Sequence, residues 1–191
     1  MEKDLNLDEV LEFAKAKHAG QFRKGSGEPY IVHPVLVAEI IKDVKPQSHK
    51  IEMMQAIALL HDTIEDTDTS FVELKKLFGV EVASTVLELT SSKFACDYFG
   101  KANYLSHHIA NMTPYARTVK LADRLANIRD MKNYTLEQKL KTFNETNQIL
   151  EYLKKECPEI ITGTQARLIE LIKRDIETVI LNNQTEREKN K

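Results

Sequence analysis

The chain has 191 residues, of which 42% are hydrophobic, so it is long enough to bury the core of one domain. Its formal net charge is −2, from 27 basic and 29 acidic residues, which excludes the broad positive surface of a protein that binds a nucleic-acid polymer. No apolar run approaches the ~20 residues of a membrane span. Cys96 and Cys157 lack the CxxC spacing of a zinc knuckle. We expect a cytoplasmic protein with reduced thiols and no membrane partner.

The predicted elements of the first half are helices separated by short breaks. A first helix begins after Asn6, which with Glu9 has the form of a capping pair, and extends to about residue 18. Segment 20–30 has the composition of a loop, because glycine and proline stand among charged residues. Further helices are predicted over 35–42 behind His33-Pro34, from about 50 to the His61-Asp62 pair, over 71–78 behind a Ser70 capping box, and over 81–89.

The second half has the same pattern. Helices are predicted over 97–110, over 114–130 with Thr113-Pro114 as the cap, from Thr135, capped with Gln138, to before Pro158, and over 164–182. The last of these has a clear apolar face, which packs on its own domain or forms a homo-oligomer contact. No convincing strand pair is present. The sequence therefore predicts one all-α domain over residues 1–182, a bundle of about eight to ten helices, and a polar, disordered tail over 183–191.

The run from Ala58 to Asp66 concentrates ionisable groups at the end of a hydrophobic helix. His61 and Asp62 are followed one helical turn later by Glu65 and Asp66. Buried carboxylates need partners, and a metal ion satisfies several of them at once. A His-Asp dipeptide alone is weak evidence, since both residue types are common.

Two further residues extend this cluster into a candidate metal site. His33 begins a helix in a hydrophobic neighbourhood, and Asp123 interrupts an apolar helix face, although Asp123 alone could also pair with Arg124 or Arg129. Two imidazoles and two carboxylates form a shell without thiolate, which suits Mn, Fe, Zn or a related divalent ion. With only four protein ligands, such an ion keeps positions open for water or substrate, as metal-assisted hydrolysis requires.

Three motifs occur in a recognisable order: the run 14–34, ending in Gly-Glu-Pro-Tyr-Ile-Val-His-Pro; Ala-Leu-Leu-His-Asp-Thr-Ile-Glu-Asp over 58–66; and Val-Lys-Leu-Ala-Asp-Arg-Leu-Ala-Asn over 119–127. Together they resemble the HD-type hydrolase domain of the RelA/SpoT enzymes, and within that group the stand-alone small alarmone hydrolases. The resemblance covers roughly residues 7–155. It implies an enzyme whose partner is a small nucleotide.

The resemblance also implies roles for individual residues. The ligands of one Mn²⁺ ion per chain would be His33, His61, Asp62 and Asp123. The pair that orients and deprotonates the attacking water would be Glu65 and Asp66, in agreement with carboxylates one turn beyond a ligand. The substrate would be bound by Arg23, Lys24, Lys93 and Asn127, although each of these could instead be an ordinary loop, surface or helix-face residue.

The implied reaction removes the 3′-pyrophosphate of guanosine tetra- or pentaphosphate, (p)ppGpp. Two departures from the family pattern concern the substrate. Ser91 and Ser92 stand where aspartates are frequent, and residues 138–143 offer no arginine and tyrosine four apart. Alternatives are therefore a hydrolase of adenosine alarmones, (p)ppApp, a phosphatase acting on the 2′-phosphate of NADPH, or, from another class, a non-catalytic nucleotide sensor.

Overall fold

The computed structural model describes the backbone of residues 5–189 and the side chains up to residue 182. Eleven α-helices follow one another in this part of the chain, and nine of them have eight residues or more. They are α1 Leu7–Lys17, α2 Val32–Val44, α3 Ile51–Leu60, α4 Thr63–Asp66, α5 Phe71–Phe78, α6 Val80–Leu89, α7 Lys93–Phe99, α8 Lys101–Ala110, α9 Pro114–Arg129, α10 Leu136–Glu156 and α11 Gly163–Lys189, with a 3-10 turn at Pro158–Ile160. The all-α prediction is confirmed.

Helix α9 is the central element of the bundle. It packs against α2 on one side and α11 on another, while α2 also lies along α3. Twelve of its sixteen residues are buried, which is why its polar members need partners inside the protein. Large side chains such as Ile41, Met54, Leu60, Leu121 and Phe143 fill the core around it. Burial of each such side chain contributes about 1.5–3 kcal/mol.

Several of the predicted helix starts are built by side-chain caps. Asn6 accepts a hydrogen bond from the backbone N–H of Asp8, and Ser70 accepts one from Glu73. Thr135 and Gln138 form a complete capping box at the start of α10. Each cap satisfies a backbone N–H that has no partner within its helix, so these boundaries are confirmed for a local reason.

Three predictions about the second half were incomplete or wrong. The single helix expected over 97–110 is divided by Gly100, whose φ of 81° lies in the left-handed region and ends α7. Thr113 occupies the predicted N-cap position of α9, but its hydroxyl forms no capping hydrogen bond and instead donates to the Glu88 carboxylate, 2.7 Å away. The backbone of α11 continues to Lys189, past the predicted end at 182, so the expected disordered tail is helical up to that residue.

The predicted loop between α1 and α2 is folded back on itself. The Arg23 N–H donates to the Glu28 carbonyl, and Phe22 and Pro29 form an isolated antiparallel bridge. At the tip, Gly25 lies against the Tyr134 ring, where any β-carbon would come within 2.2 Å of a ring carbon. Glycine is required there because the loop so closely approaches Tyr134, in the segment between α9 and α10.

Among residues 5–189 there is no helix that combines the length and apolar character needed to cross a membrane.

Candidate metal centre and active site

The four predicted metal ligands meet in one buried cluster, although they come from three separate parts of the chain. His33 lies in the first turn of α2, His61 and Asp62 in the joint between α3 and α4, and Asp123 in the middle of α9. The Nε2 atom of His33 lies 3.1 Å from Asp123 Oδ1 and 3.9 Å from Asp62 Oδ2. The Nε2 atom of His61 lies 2.9 Å from Asp62 Oδ2 and 3.8 Å from Asp123 Oδ1.

His61 is held so that one ring nitrogen faces this cluster. Its Nδ1 lies 2.7 Å from the Ala58 carbonyl oxygen, which only a protonated nitrogen can satisfy. Its Nε2 is buried without a hydrogen-bond partner and points at carboxylate oxygens. Burial lowers the pKa of His61, but Asp62 and Asp123 outweigh it and raise that pKa to about 9. A cation, either a proton or a metal ion, is needed at this position.

The donor set fits a divalent metal ion. One ligand atom each from His33, His61 and Asp62 lie within 4.8 Å of one another, and the carboxylate of Asp123 approaches both imidazoles. Burial would raise the pKa of Asp62, but the adjacent His61 holds it below its usual range. The chemistry of two imidazoles and two ionised carboxylates suits Mn, Fe or Zn, and no thiol belongs to the group.

Further side chains orient these ligands from behind. The Tyr30 hydroxyl donates to Asp62 Oδ2, and the Asn127 amide donates to Asp123 Oδ1 at 2.6 Å. The Lys120 ammonium lies 3.5 Å from Asp123 Oδ2, so the ion pair forms with Lys120 and not with the neighbouring arginines. Burial would raise the pKa of Asp123, but Lys120 and the His33 ring hold it well below its usual range. Outer partners of this kind fix the geometry of metal ligands.

Glu65 and Asp66 both line the cavity beside the cluster. The Glu65 carboxylate accepts the Ser91 backbone N–H at 2.8 Å, so its side chain is fixed by the start of the segment after α6. Asp66 is exposed at the rim, where partial desolvation and the charge of Asp62 raise its pKa. The two carboxylates therefore differ: one is held by a donor, and the other takes up a proton more readily than a free aspartate.

The predicted substrate residues separate into two groups. Arg23 and Asn127 line the cavity and contact each other at 3.0 Å, while Arg23 also binds Asp130 at 2.7 Å. Arg23, Asn127 and Asp123 thus form a continuous hydrogen-bonded chain from the loop to a metal ligand. Lys24 and Lys93 are exposed and do not line the cavity. The charge of Lys93 nevertheless lowers the pKa of Asp66.

The cavity has a volume of about 320 Å³, within the range of small-molecule sites. The sequence did not predict several of its lining residues, which are Tyr30, Lys101, Lys120, Arg124, Tyr134, Thr142 and Glu145. Tyr30 and Lys120 stand within three residues of predicted ligands in the motifs, and that proximity was the available signal. Lys101, Thr142 and Glu145 come from α8 and α10, and nothing in their local sequence indicates an active site.

Helix α10, which lacks the arginine and tyrosine pair of the family pattern, contributes two residues to the cavity. Thr142 and Glu145 are the α10 residues that face the cavity, whereas Phe143 is buried in the core. Gln138 is used in the capping box. This helix therefore brings no cation to the cavity.

Comparison with known proteins shows the family of the chain. Residues 10–102 match the model of the HD domain. The chain is 41% identical over 132 residues to the guanosine-3′,5′-bis(diphosphate) 3′-pyrophosphohydrolase MESH1 of Danio rerio, covering 69% of this chain and 72% of the relative. It is 36% identical to MESH1 of Mus musculus, covering 90% and 93%. The chain belongs to the HD-domain family of guanosine-3′,5′-bis(diphosphate) 3′-pyrophosphohydrolases.

Members of this HD family differ in length around the shared domain. The relative from Aquifex aeolicus is 36% identical over 152 residues, which are 75% of this chain but only 20% of that enzyme. A solved structure described as a metazoan ortholog of SpoT that hydrolyses ppGpp superposes with a TM-score of 0.75 at 29% identity, covering 90% of this chain and 93% of the other. The likeness therefore extends over nearly the whole helical domain.

Proposed function

We propose that the chain hydrolyses the 3′-pyrophosphate of guanosine 3′,5′-bis(diphosphate) and of its pentaphosphate, with one Mn²⁺ ion held by His33, His61, Asp62 and Asp123. The observation on which this depends is the buried cluster of two imidazoles and two carboxylates beside Glu65 and Asp66. The likeness to MESH1 names the substrate. The metal ion, when bound, would polarise the phosphoryl group and lower the pKa of water.

In this reaction water attacks the phosphorus that is bonded to the 3′-oxygen. The bond from that phosphorus to the 3′-oxygen breaks, the 3′-hydroxyl receives a proton, and pyrophosphate leaves with GDP or GTP as the other product. The Glu65 carboxylate, fixed by the Ser91 N–H, would orient the water. Asp66, whose raised pKa is better matched to proton transfer, would accept its proton.

The nucleoside would lie on the Arg23 side of the cavity. The Arg23 guanidinium lies 5.6 Å from the centre of the Tyr30 ring and is held by Asn127 and Asp130, so a base could stack on its open face. Lys93, whose charge acts on Asp66, would approach the phosphates. Lys24 follows Arg23 in the loop and would contact the substrate from the rim of the cavity.

A cytoplasmic location and self-association through α11 remain predictions.

Two related substrates are also compatible with the cavity, because they differ from ppGpp in the base or in the phosphates that do not react. Thr142 and Glu145 occupy the α10 wall of the cavity without a cation, so hydrolysis of adenosine alarmones or of the NADPH 2′-phosphate is the second candidate. A non-catalytic sensor is disfavoured, because all four ligand residues form one cluster and both Glu65 and Asp66 line the cavity beside it.

The test is a parallel assay of the purified protein with Mn²⁺ on ppGpp, ppApp and NADPH, with release of pyrophosphate or phosphate as the readout. We expect pyrophosphate from ppGpp. Asp62→Ala should abolish turnover and leave the helical circular dichroism unchanged, while Asp68→Ala, at an exposed position that pairs with Lys17, should behave as the wild type. A protein that bound no divalent metal and left all three nucleotides intact would contradict the proposal.

A further inference from the structure

Arg124 is a buried cation without a counter-ion. Its side chain lines the cavity, the residue is only 8% exposed, and its Nε is buried without a hydrogen-bond acceptor. Among the described residues it forms no ion pair and no hydrogen bond, in contrast to Lys120 and Arg23 on the same cavity. A buried charge without a partner is costly, so its presence indicates an anion that binds from outside the protein.

Arg117 indicates the direction in which Arg124 points. The two residues are seven apart on α9, so they lie on one face of the helix. The Arg117 guanidinium reaches the end of α8, where it donates to the carbonyls of Ile109, Ala110 and Met112. Two turns farther on, Arg124 lines the cavity together with Leu105 and Lys101 of α8 and with Thr142 and Glu145 of α10. From this register we infer that the Arg124 side chain faces the wall formed by α8 and α10.

Of the three basic residues at this wall, Arg124 is the one without an acidic neighbour among the described residues. Lys101 lies 3.9 Å from Glu145, and Lys120 lies 3.5 Å from Asp123, so each lysine has an acidic neighbour. Arg124 has no carboxylate within 4.0 Å among the described residues. Thr142 contributes only a hydroxyl. Arg124 is thus a positive charge that no carboxylate of the described residues pairs with, and Lys101 and Lys120 line the same cavity.

We propose that Arg124 binds the 5′-phosphate chain of the nucleotide, the one that is not cleaved, with Lys101 and Lys120 beside it. This proposal rests on the proposed function, because the cluster at His61 and Asp62 would take the 3′ end. Lys120 is within ion-pair distance of the predicted ligand Asp123, whereas Arg124 lies beyond that distance from it. A guanidinium also matches the oxygens of a terminal phosphate in a bidentate arrangement.

Binding of GDP tests this site without turnover, because GDP has the 5′-diphosphate and no 3′-phosphate. With Mn²⁺-loaded protein and isothermal titration calorimetry, we expect Arg124→Gln to weaken GDP binding about 10- to 100-fold, the value of one charged hydrogen-bonded contact. Guanosine should bind both proteins equally. Arg124→Lys should recover part of the affinity, and Arg129→Gln is the matched control, since Arg129 lies on the same helix but pairs with Asp175.

A kinetic comparison separates the two phosphate chains. For ppGpp we expect Arg124→Gln to raise KM about 10-fold or more with little change in kcat. For a guanosine 3′-diphosphate with a free 5′-hydroxyl, kcat/KM should be the same in both proteins. An equal loss on both substrates, or GDP binding that is unchanged in Arg124→Gln, would overturn the proposal. Arg124-dependent GDP binding in a wild type that leaves ppGpp intact would support the phosphate site and overturn only the proposed hydrolysis.

Discussion

Helix α9 has two buried arginines on one face, two turns apart, and their surroundings are opposite. Arg117 donates to backbone carbonyls at the end of α8 and to the Ile160 carbonyl, so each nitrogen of its guanidinium has a partner within the protein. Arg124 has no partner among the described residues and faces the cavity. The same residue type on the same face is thus structural in one place and available for a ligand in the other.

The polar groups around Arg117 and around Arg124 differ in the same way. Near Arg117, the Thr118 hydroxyl donates to the Pro114 carbonyl and accepts from Gln165, so the buried polar groups are paired. Near Arg124, Asp123 faces the Nε2 atoms of two histidines, one of which has no hydrogen-bond partner. Buried polar groups that lack partners mark the part of this helix where binding energy is available to a metal ion or substrate.

The largest expected effect concerns catalysis in the cavity beside Asp123 and Arg124, where buried polar groups lack partners. Glu65→Gln should lower kcat about 10²- to 10⁴-fold, because the neutral amide cannot hold the attacking water in the orientation that the carboxylate would impose. The affinity for Mn²⁺ should be unchanged, as measured by calorimetry. Glu81→Gln, which changes a carboxylate paired with Lys50 on the surface, is the control. An equal loss of metal affinity and turnover would instead place Glu65 among the metal ligands.

The two arginines themselves provide the direct comparison of stability. Arg117→Met should lower the free energy of unfolding by about 3–5 kcal/mol, because it leaves several buried carbonyls without donors. Arg124→Met should be neutral or stabilising, because it removes a buried charge that has no partner. Urea unfolding of the metal-free proteins measures both. Equal destabilisation by the two substitutions would mean that Arg124 has a structural partner after all.

Tyr30 tests whether side chains behind the cluster are needed to orient a ligand. Tyr30→Phe removes the hydroxyl that donates to Asp62 and keeps the ring that packs 5.9 Å from the His33 ring. We expect the affinity for Mn²⁺ to fall about 10- to 100-fold. Tyr98→Phe, at an exposed position on α7, should leave the affinity as it is. Wild-type affinity in Tyr30→Phe would show that Asp62 is oriented by other contacts.

His108 should give the smallest effect, through pH. Burial lowers its pKa, as does the nearby Lys120, although Glu88 acts in the opposite direction. Because the folded-state pKa is depressed, His108 contributes stability above its unfolded pKa of about 6.5, and this contribution is lost as the pH falls through the folded value. Unfolding between pH 8 and 5 should show a shallower decline for His108→Gln, and a proton NMR titration should give a pKa below 6.5.

Much of the fold was predictable because its signals are local. The starts at Asn6, Ser70 and Thr135 depend on a side chain and a backbone N–H two or three residues away. The split at Gly100 was missed because the apolar pattern continues through it, and only its backbone conformation divides the helix. Thr113 stands at the predicted N-cap, but the partner of its hydroxyl, Glu88, is 25 residues away in the sequence and could not be predicted from a local pattern.

The site divides in the same way. His33, His61, Asp62 and Asp123 were predictable because polar residues interrupt apolar patterns at those positions, and the structure brings them together. The surroundings of Arg23 were not predictable: it is bound to Asn127 and Asp130, more than 100 residues away. The roles of Lys120, Tyr30 and Arg124 likewise depend on residues that are near them only in the folded structure.

The helical class and the residue types that can bind a metal ion could be predicted from the sequence, because helix periodicity and the positions of His, Asp and Glu are local properties of the chain. Which polar groups have hydrogen-bond or ion-pair partners depends on the tertiary structure. That distinction depends on contacts between α8, α9 and α10, whose residues are far apart in the chain. It is the reason that Arg117 and Arg124, alike in sequence, differ in what they can bind.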